Sequence, residues 1–319
     1  MSEGPIQGKV VGQYFGLFHG CTKEHFATIV DTAPFDCCNL LILGFLTVRE
    51  QEAGQWGPTF PDNRDNCFNG EHATNDDTDE DRVKLVVRTA RAKNPGIKIL
   101  ISLGFYNEVV KASKDPEWFA TVLRDLVQAH GFDGFDIDWE ELYPFNQGSI
   151  GPSDFVNLMQ CVKTELAKVV DNPILTICPA NIFKHKDALL NKSVMDCFTY
   201  VMPQSYDHGG NGTKVATYEQ ILGSYDKIVY GLSGEGYLSP PSWAPQEKPD
   251  DPANFVRDAK SNGAAGIFSW RIDTDSLPKA AEPECDEELC KAGKCPLEGP
   301  EQLPTFAVAR KMWQLMPGR

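Results

Sequence analysis

The chain has 319 residues, 41% of them hydrophobic and 24% charged, the balance of a soluble globular protein able to bury an enzyme-sized core. Asp and Glu number 45 against 30 Lys and Arg, a formal net charge of −15, which argues against nucleic acid or an acidic membrane surface as partner. No apolar run approaches the length of a membrane span, and a monomer is expected.

The start, Met-Ser-Glu-Gly-Pro-Ile-Gln-Gly, has neither the basic nor the apolar region of a secretion signal. Ten cysteines nevertheless point to an oxidising, extracellular setting. From there, short apolar runs alternate with helical patterns. The runs are Val10–Phe15, Asn39–Leu46, Ile97–Leu103, Phe132–Asp138, Ile174–Cys178, Tyr200–Gln204, Lys227–Gly231 and Ala265–Trp270. They are rich in Val, Ile, Leu and Phe with little in/out alternation, as in parallel strands covered on both faces. Cys37 and Cys38 fall beside the second run and read as small buried thiols in a strand.

Between the strands, Asp115-Pro116-Glu117 supplies a cap, a first-turn proline and an acid at the positive end of a helix. Trp118, Val122 and Leu126, with Phe119, Leu123 and Val127, follow at helical spacing. Ser153 stands before Phe155, Leu158, Met159, Val162 and Leu166 in the same way. Asp251-Pro252 opens another helix that Gly263 closes, and a last helix is expected over 305–316. Eight strands alternating with helices predict a (β/α)8 TIM barrel, a single domain over 1–319. The short stretch from Leu232 to Ala264 leaves no room for an evident α+β insertion between strands 7 and 8.

Two long loops are expected on the catalytic face, at 49–81 and 279–300. The first holds acids at Asp76, Asp77, Asp79, Glu80 and Asp81 and reads as a solvated face rather than a cation site. The second holds Cys285, Cys290 and Cys295 without a nearby His, a poor zinc set. No metal and no cofactor are expected. Trp56 and Trp243 lie in loops, as cleft walls or as anchors. Asn191-Lys-Ser and Asn211-Gly-Thr match the short glycosylation sequon.

The chemistry is concentrated in the fourth predicted strand. Side chains alternate along a strand, so Asp136, Asp138 and Glu140 share one side and Phe135, Ile137 and Trp139 the other. In a barrel the apolar set faces the helices, and the acids form a file inward, about 6.5 Å per step. Buried neighbouring carboxylates force protons onto one another, which suits general acid catalysis near neutrality. Spacing alone leaves two chemistries open, glycosidic acid catalysis and a divalent-metal site.

Asp133-Gly-Phe-Asp136-Ile-Asp138-Trp-Glu140 resembles the D-G-x-D-x-D-W-E signature of glycoside hydrolase family 18, the chitinases. Further pieces resemble the family in order along nearly the whole chain. Lys98-Ile-Leu-Ile-Ser102-Leu-Gly104 is similar to its third strand, which usually ends S-x-G-G; this chain departs there, with Phe105 at the second glycine. Met202-Pro-Gln204-Ser-Tyr206-Asp207 resembles the sixth-strand motif, and Gly266-Ile-Phe-Ser-Trp270 the eighth strand.

The resemblance implies hydrolysis of chitin or chitooligosaccharides in which Glu140 protonates the glycosidic oxygen and the substrate's own N-acetyl oxygen attacks the anomeric carbon. It implies that Asp138 binds the acetamido N–H, that Asp136 shares a proton with Asp138, and that Tyr206 donates to the acetamido oxygen. Gln204, Asp207 and Met202 belong to the implied sugar site, with Trp270 stacking on the sugar and Tyr14 an aromatic at the same subsite. The expected activity is a retaining endo-chitinase. Alternatives are an endo-β-N-acetylglucosaminidase acting on N-glycan cores and a non-catalytic chitinase-like lectin.

Overall fold

A computed structural model describes residues 5–18, 23–61, 78–140, 150–180, 190–206, 215–234, 251–275 and 303–316. Asp76, Asp77, Asp207, Asn211, Trp243, Cys285, Cys290 and Cys295 lie outside them. The elements begin β1 (Val10–Gly16), α1 (Lys23–Thr32), β2 (Leu40–Glu52), β3 (Gln55–Thr59), α2 (Asp79–Lys93), β4 (Lys98–Gly104) and α3 (Tyr106–Ala112). They continue α4 (Pro116–His130), β5 (Gly134–Trp139), α5 (Pro152–Leu166), β6 (Ile174–Pro179), α6 (Lys192–Met195) and β7 (Tyr200–Val201). Last come α7 (Val215–Leu222), β8 (Val229–Ser233), α8 (Pro252–Ser261), β9 (Gly266–Trp270) and α9 (Ala307–Leu315).

Eight strands pair in parallel in the order β7-β6-β5-β4-β2-β1-β9-β8. A parallel bridge between Val201 and Ile228 brings the two ends of that order together and nearly closes the ring. With helices packed outside, this is the (β/α)8 barrel expected from the strand–helix alternation. The apolar runs are explained by two separate cores. Val10, Tyr14, Ile42, Leu100, Met202 and Phe268 fill the barrel interior. Their strand neighbours Val11, Phe15, Leu41, Leu43, Ile99 and Ile101 join the larger layer under the helices. Both faces of each strand are therefore buried, and strict in/out polarity is lost.

The helix signals act as expected at two starts. Asp115 accepts from Trp118 N–H with Pro116 in the first turn of α4, and Gly131 ends it at φ 69°. Asp251 accepts from Ala253 N–H at the start of α8, and Gly263 follows its end at φ 72°. At α5 the cap is Gly151, and Ser153 lies inside the helix behind Pro152, because the proline fixes the first turn one residue earlier. Helix α9 is capped from afar: the Asp275 carboxylate accepts from Val308 N–H at 3.0 Å and Ala309 N–H at 2.7 Å.

Two local expectations change. Residues 49–59 are not loop. Strand β2 runs to Glu52, turns at Gly54 (φ 82°), and pairs antiparallel with β3. Past the barrel rim β2 loses its second covered face, so its residues turn exposed and polar while the backbone stays extended. Trp56 on β3 lies under the Lys114 ammonium at 4.7 Å and packs on the outer core, an anchor for the hairpin. Cys37 belongs to a short 3-10 turn, Phe35–Cys37, and buried Cys38 lies between that turn and β2. Both are free thiols.

The first two residues of the acidic run build the barrel. Asp133 accepts from Ile99 N–H at 2.9 Å and pairs with Lys98 at 3.1 Å and Arg91 at 3.0 Å, tying β5 to β4 and α2. At Gly134 a Cβ would lie 1.9 Å from the carbonyl oxygen of Ile174 on β6. Only glycine permits that strand approach. Gly134→Ala is therefore expected to lower stability by about 3 kcal/mol or more. Urea unfolding measures it, and unchanged stability would contradict the close approach.

Candidate active site at the barrel mouth

Strand β5 delivers its alternation as read. Phe135 meets Phe119 of α4 edge-on at 6.1 Å, and Trp139 stacks on Phe155 of α5 at 5.0 Å. Asp136 and Asp138 face the barrel interior, 0% and 3% exposed. Glu140 follows the strand's end and is half-buried.

Asp136 sits in a ring of hydroxyls. Ser102 Oγ donates to its Oδ2 at 2.6 Å, Tyr14 OH donates to the same oxygen at 2.9 Å, and Thr176 Oγ1 donates to Oδ1. The donors share one barrel layer, since Ser102, Asp136 and Thr176 are direct register partners on β4, β5 and β6. Burial pushes the Asp136 carboxyl up to about 6, and the three hydroxyls hold it from rising further.

Asp138 is treated differently. Gln204 Nε2 donates to Asp138 Oδ1 at 2.9 Å and to Glu140 Oε1 at 2.5 Å, bridging the two acids. Burial first, then the charges of Glu140 and Asp136, push Asp138 well above the usual carboxylate range. Asp136 has three hydroxyl donors favouring its charged form and Asp138 one amide donor, so the two carboxyls titrate as an interacting pair in unlike surroundings. Gln204 holds the outer pair at a fixed spacing.

The aromatic residues fall in two groups. Tyr14 is 1% exposed and packs between Phe268 at 5.7 Å and Trp270 at 5.4 Å. It offers almost no surface to a ligand and reaches the acids through its hydroxyl. Met202 is fully buried in the inner core and supports the site from within. Trp270 and Tyr206 are partly exposed against that same core, Tyr206 edge-on to Phe268 at 6.2 Å. Asp207 lies outside the described residues. The structure thus brings Glu140, Asp138, Asp136, Gln204, Tyr206, Trp270 and Tyr14 to one end of the barrel. Among the described residues no group of His, Cys, Asp and Glu has the arrangement of a metal site.

Several participants were not foreseen. Thr176, and Ser102 in its role as a donor, carry a signal only in hindsight: each is a lone hydroxyl in an apolar strand. Cys178 is buried beside Tyr14, and burial and the neighbouring Asp138 and Asp136 charges push its thiol up, so it stays protonated. Phe45 stacks near-parallel on Trp270 at 5.9 Å, and Phe18 on Phe45 at 6.2 Å. Arg271 lies over Phe18 at 4.5 Å, beside Asp273, which accepts from Gly16 N–H at 2.9 Å.

Known proteins resemble the chain in sequence and in fold. The model of the family described as Glycosyl hydrolases family 18 matches residues 11–221. Over 172 residues the chain is 26% identical to a chitinase of Enterococcus faecalis, covering 48% of each protein. The chain spans about half the length of that relative. A GH18 chitinase from Cycas revoluta, solved in complex with (GlcNAc)3, has a TM-score of 0.61 at 14% identity, covering 95% of this chain and 99% of that one. A chitinase-like agglutinin from Robinia pseudoacacia gives 0.60 at 16%, covering 84% and 96%. At such identities the two structures establish a shared fold.

The hydroxyl ring makes a pH prediction. A folded value near 6 against an ordinary 3.8 means that the protonated form of Asp136 is favoured by folding. Its contribution to stability is full below about pH 4 and is lost as pH rises through about 6. Tyr14→Phe removes a donor to the charged form, so Asp136 should titrate higher than in the wild type. Carboxyl NMR titration reads this directly, and a downward or absent shift would contradict the donor role.

Proposed function

The chain belongs to glycosyl hydrolase family 18, and on that premise we propose that it is a retaining endo-chitinase cleaving β-1,4 bonds between N-acetylglucosamine units. The observation that carries the reading is the bridged file Asp136–Asp138–Glu140, two buried acids leading to a half-exposed third with Gln204 across the outer pair.

Glu140, the outermost acid, donates its proton to the glycosidic oxygen as the bond to the leaving sugar breaks. The substrate's acetamido oxygen attacks the anomeric carbon from the opposite face, giving a cyclic oxazolinium ion and then, with water, net retention. Asp138 accepts a hydrogen bond from the acetamido N–H and stabilises the positive charge that grows there. As Asp138 turns to the substrate, its proton passes to Asp136, whose elevated position near 6 suits it to receive one. The hydroxyls of Ser102, Thr176 and Tyr14 hold Asp136 in place. Tyr206 orients the acetamido oxygen, and Trp270 supplies an apolar face for the pyranose. Asp207 completes the sugar site. Support for an N-acetylglucosamine polymer comes from the Enterococcus chitinase and from the oligosaccharide bound to the Cycas enzyme.

The agglutinin likeness raises sugar binding without turnover as a second reading. The retained Glu140 with its Gln204 hydrogen bond speaks against it, because binding alone requires no acid at the file's outer end. The test is Glu140→Gln on chitohexaose. Hydrolysis should fall by about 10²–10⁴-fold while oligosaccharide binding persists. Wild-type turnover in that variant would refute the assignment of the acid.

A further inference from the structure

Phe105 stands in a backbone conformation that side chains avoid, φ 69° and ψ 142°. The surrounding hydrogen bonds account for the conformation. Phe105 N–H donates to the Asp138 carbonyl at 3.0 Å, Tyr106 N–H to the Glu140 carbonyl at 2.9 Å, and Glu108 N–H to the Phe105 carbonyl at 3.1 Å. The junction of β4 with α3 is thereby stitched to the end of the acid strand. Glycine would satisfy those bonds without strain. A phenylalanine here costs stability, so the ring calls for a different explanation.

The ring's position supplies it. Phe105 is half-buried and lies 5.8 Å from Phe45, which is half-buried in turn and stacks on Trp270. Gly104 leaves room for this, since a Cβ there would meet the Phe45 ring at 3.0 Å. Phe105, Phe45 and Trp270 form a partly exposed aromatic surface next to Asp138 and Glu140. Aromatic faces of this kind bind the apolar faces of pyranose rings and the methyl of an acetamido group. We propose that Phe105 is a specificity-determining residue, whose ring walls the cleft on the β4 side against an N-acetylhexosamine unit bound beside the scissile bond. This rests on the chitooligosaccharide reading above.

The experiment separates the ring from the strain. Phe105→Ala and Phe105→Gly are made in the Glu140→Gln protein, with chitotetraose binding read by calorimetry and stability by thermal melting. Both variants should bind about tenfold more weakly, while Phe105→Gly melts at or above the parent and Phe105→Ala below it. Weaker binding without lost stability in Phe105→Gly is what a purely structural ring would not produce. Binding equal to the parent's in either variant overturns the proposal, as does a Phe105→Gly protein melting well below the parent. If the parent binds no chitotetraose, the chitooligosaccharide reading falls and takes the proposal with it; if the parent binds it and a variant binds equally well, the proposal alone falls.

Discussion

Two carboxylates, Asp136 and Asp138, are buried on successive inward positions of one strand, and the rest of the site is arranged around that cost. Desolvation alone opposes either charge. The inner acid is compensated by three hydroxyls from three other strands, which is possible because a barrel brings side chains of equal height to one axis. Asp138 has a single amide donor instead, and burial with the charges of Glu140 and Asp136 outweighs it, pushing this carboxyl well above the usual range. One interior therefore holds two acids in unlike surroundings. The proton transfer proposed between them rests on that difference.

The backbone is as constrained as the acids. Gly134 and Gly266 each sit where a Cβ would strike a neighbouring strand's carbonyl, at 1.9 Å and 2.0 Å. Asp133 locks the base of β5 through one amide and two cations. The eight-residue run thus divides by depth: its first residues secure the strand, its inward acids form the buried file, and Phe135, Ile137 and Trp139 bind it to the helices. At the other side of the mouth, the segment after β9 places Asp273 on the Gly16 amide and Asp275 on the start of α9.

What the sequence revealed follows from the range of the interactions involved. The barrel was legible because burial on both faces leaves apolar runs of strand length, and the acid file because alternation is a local rule. The hydroxyl ring was not, since Ser102 and Thr176 become partners of Asp136 only once three strands are in register. Tyr14 was placed in the right neighbourhood, but its burial and its bond to Asp136 depend on packing. The β2–β3 hairpin was hidden because an exposed strand beyond the barrel rim carries loop-like composition. Asp275 caps a helix whose amide lies 33 residues onward, a contact no local pattern announces. Phe105 was visible as a departure from a glycine, and the structure adds the positive φ and the ring's neighbours.

On the reading proposed above, the acid file works with the substrate's own acetamido group, and no protein side chain attacks the sugar. Chitobiose thiazoline, a stable analogue of the oxazolinium ion, separates the two retaining routes. Competitive inhibition by the thiazoline, with no glycosyl-enzyme seen by mass spectrometry during turnover of chitohexaose, is expected. A covalent glycosyl-enzyme together with indifference to the thiazoline would contradict it.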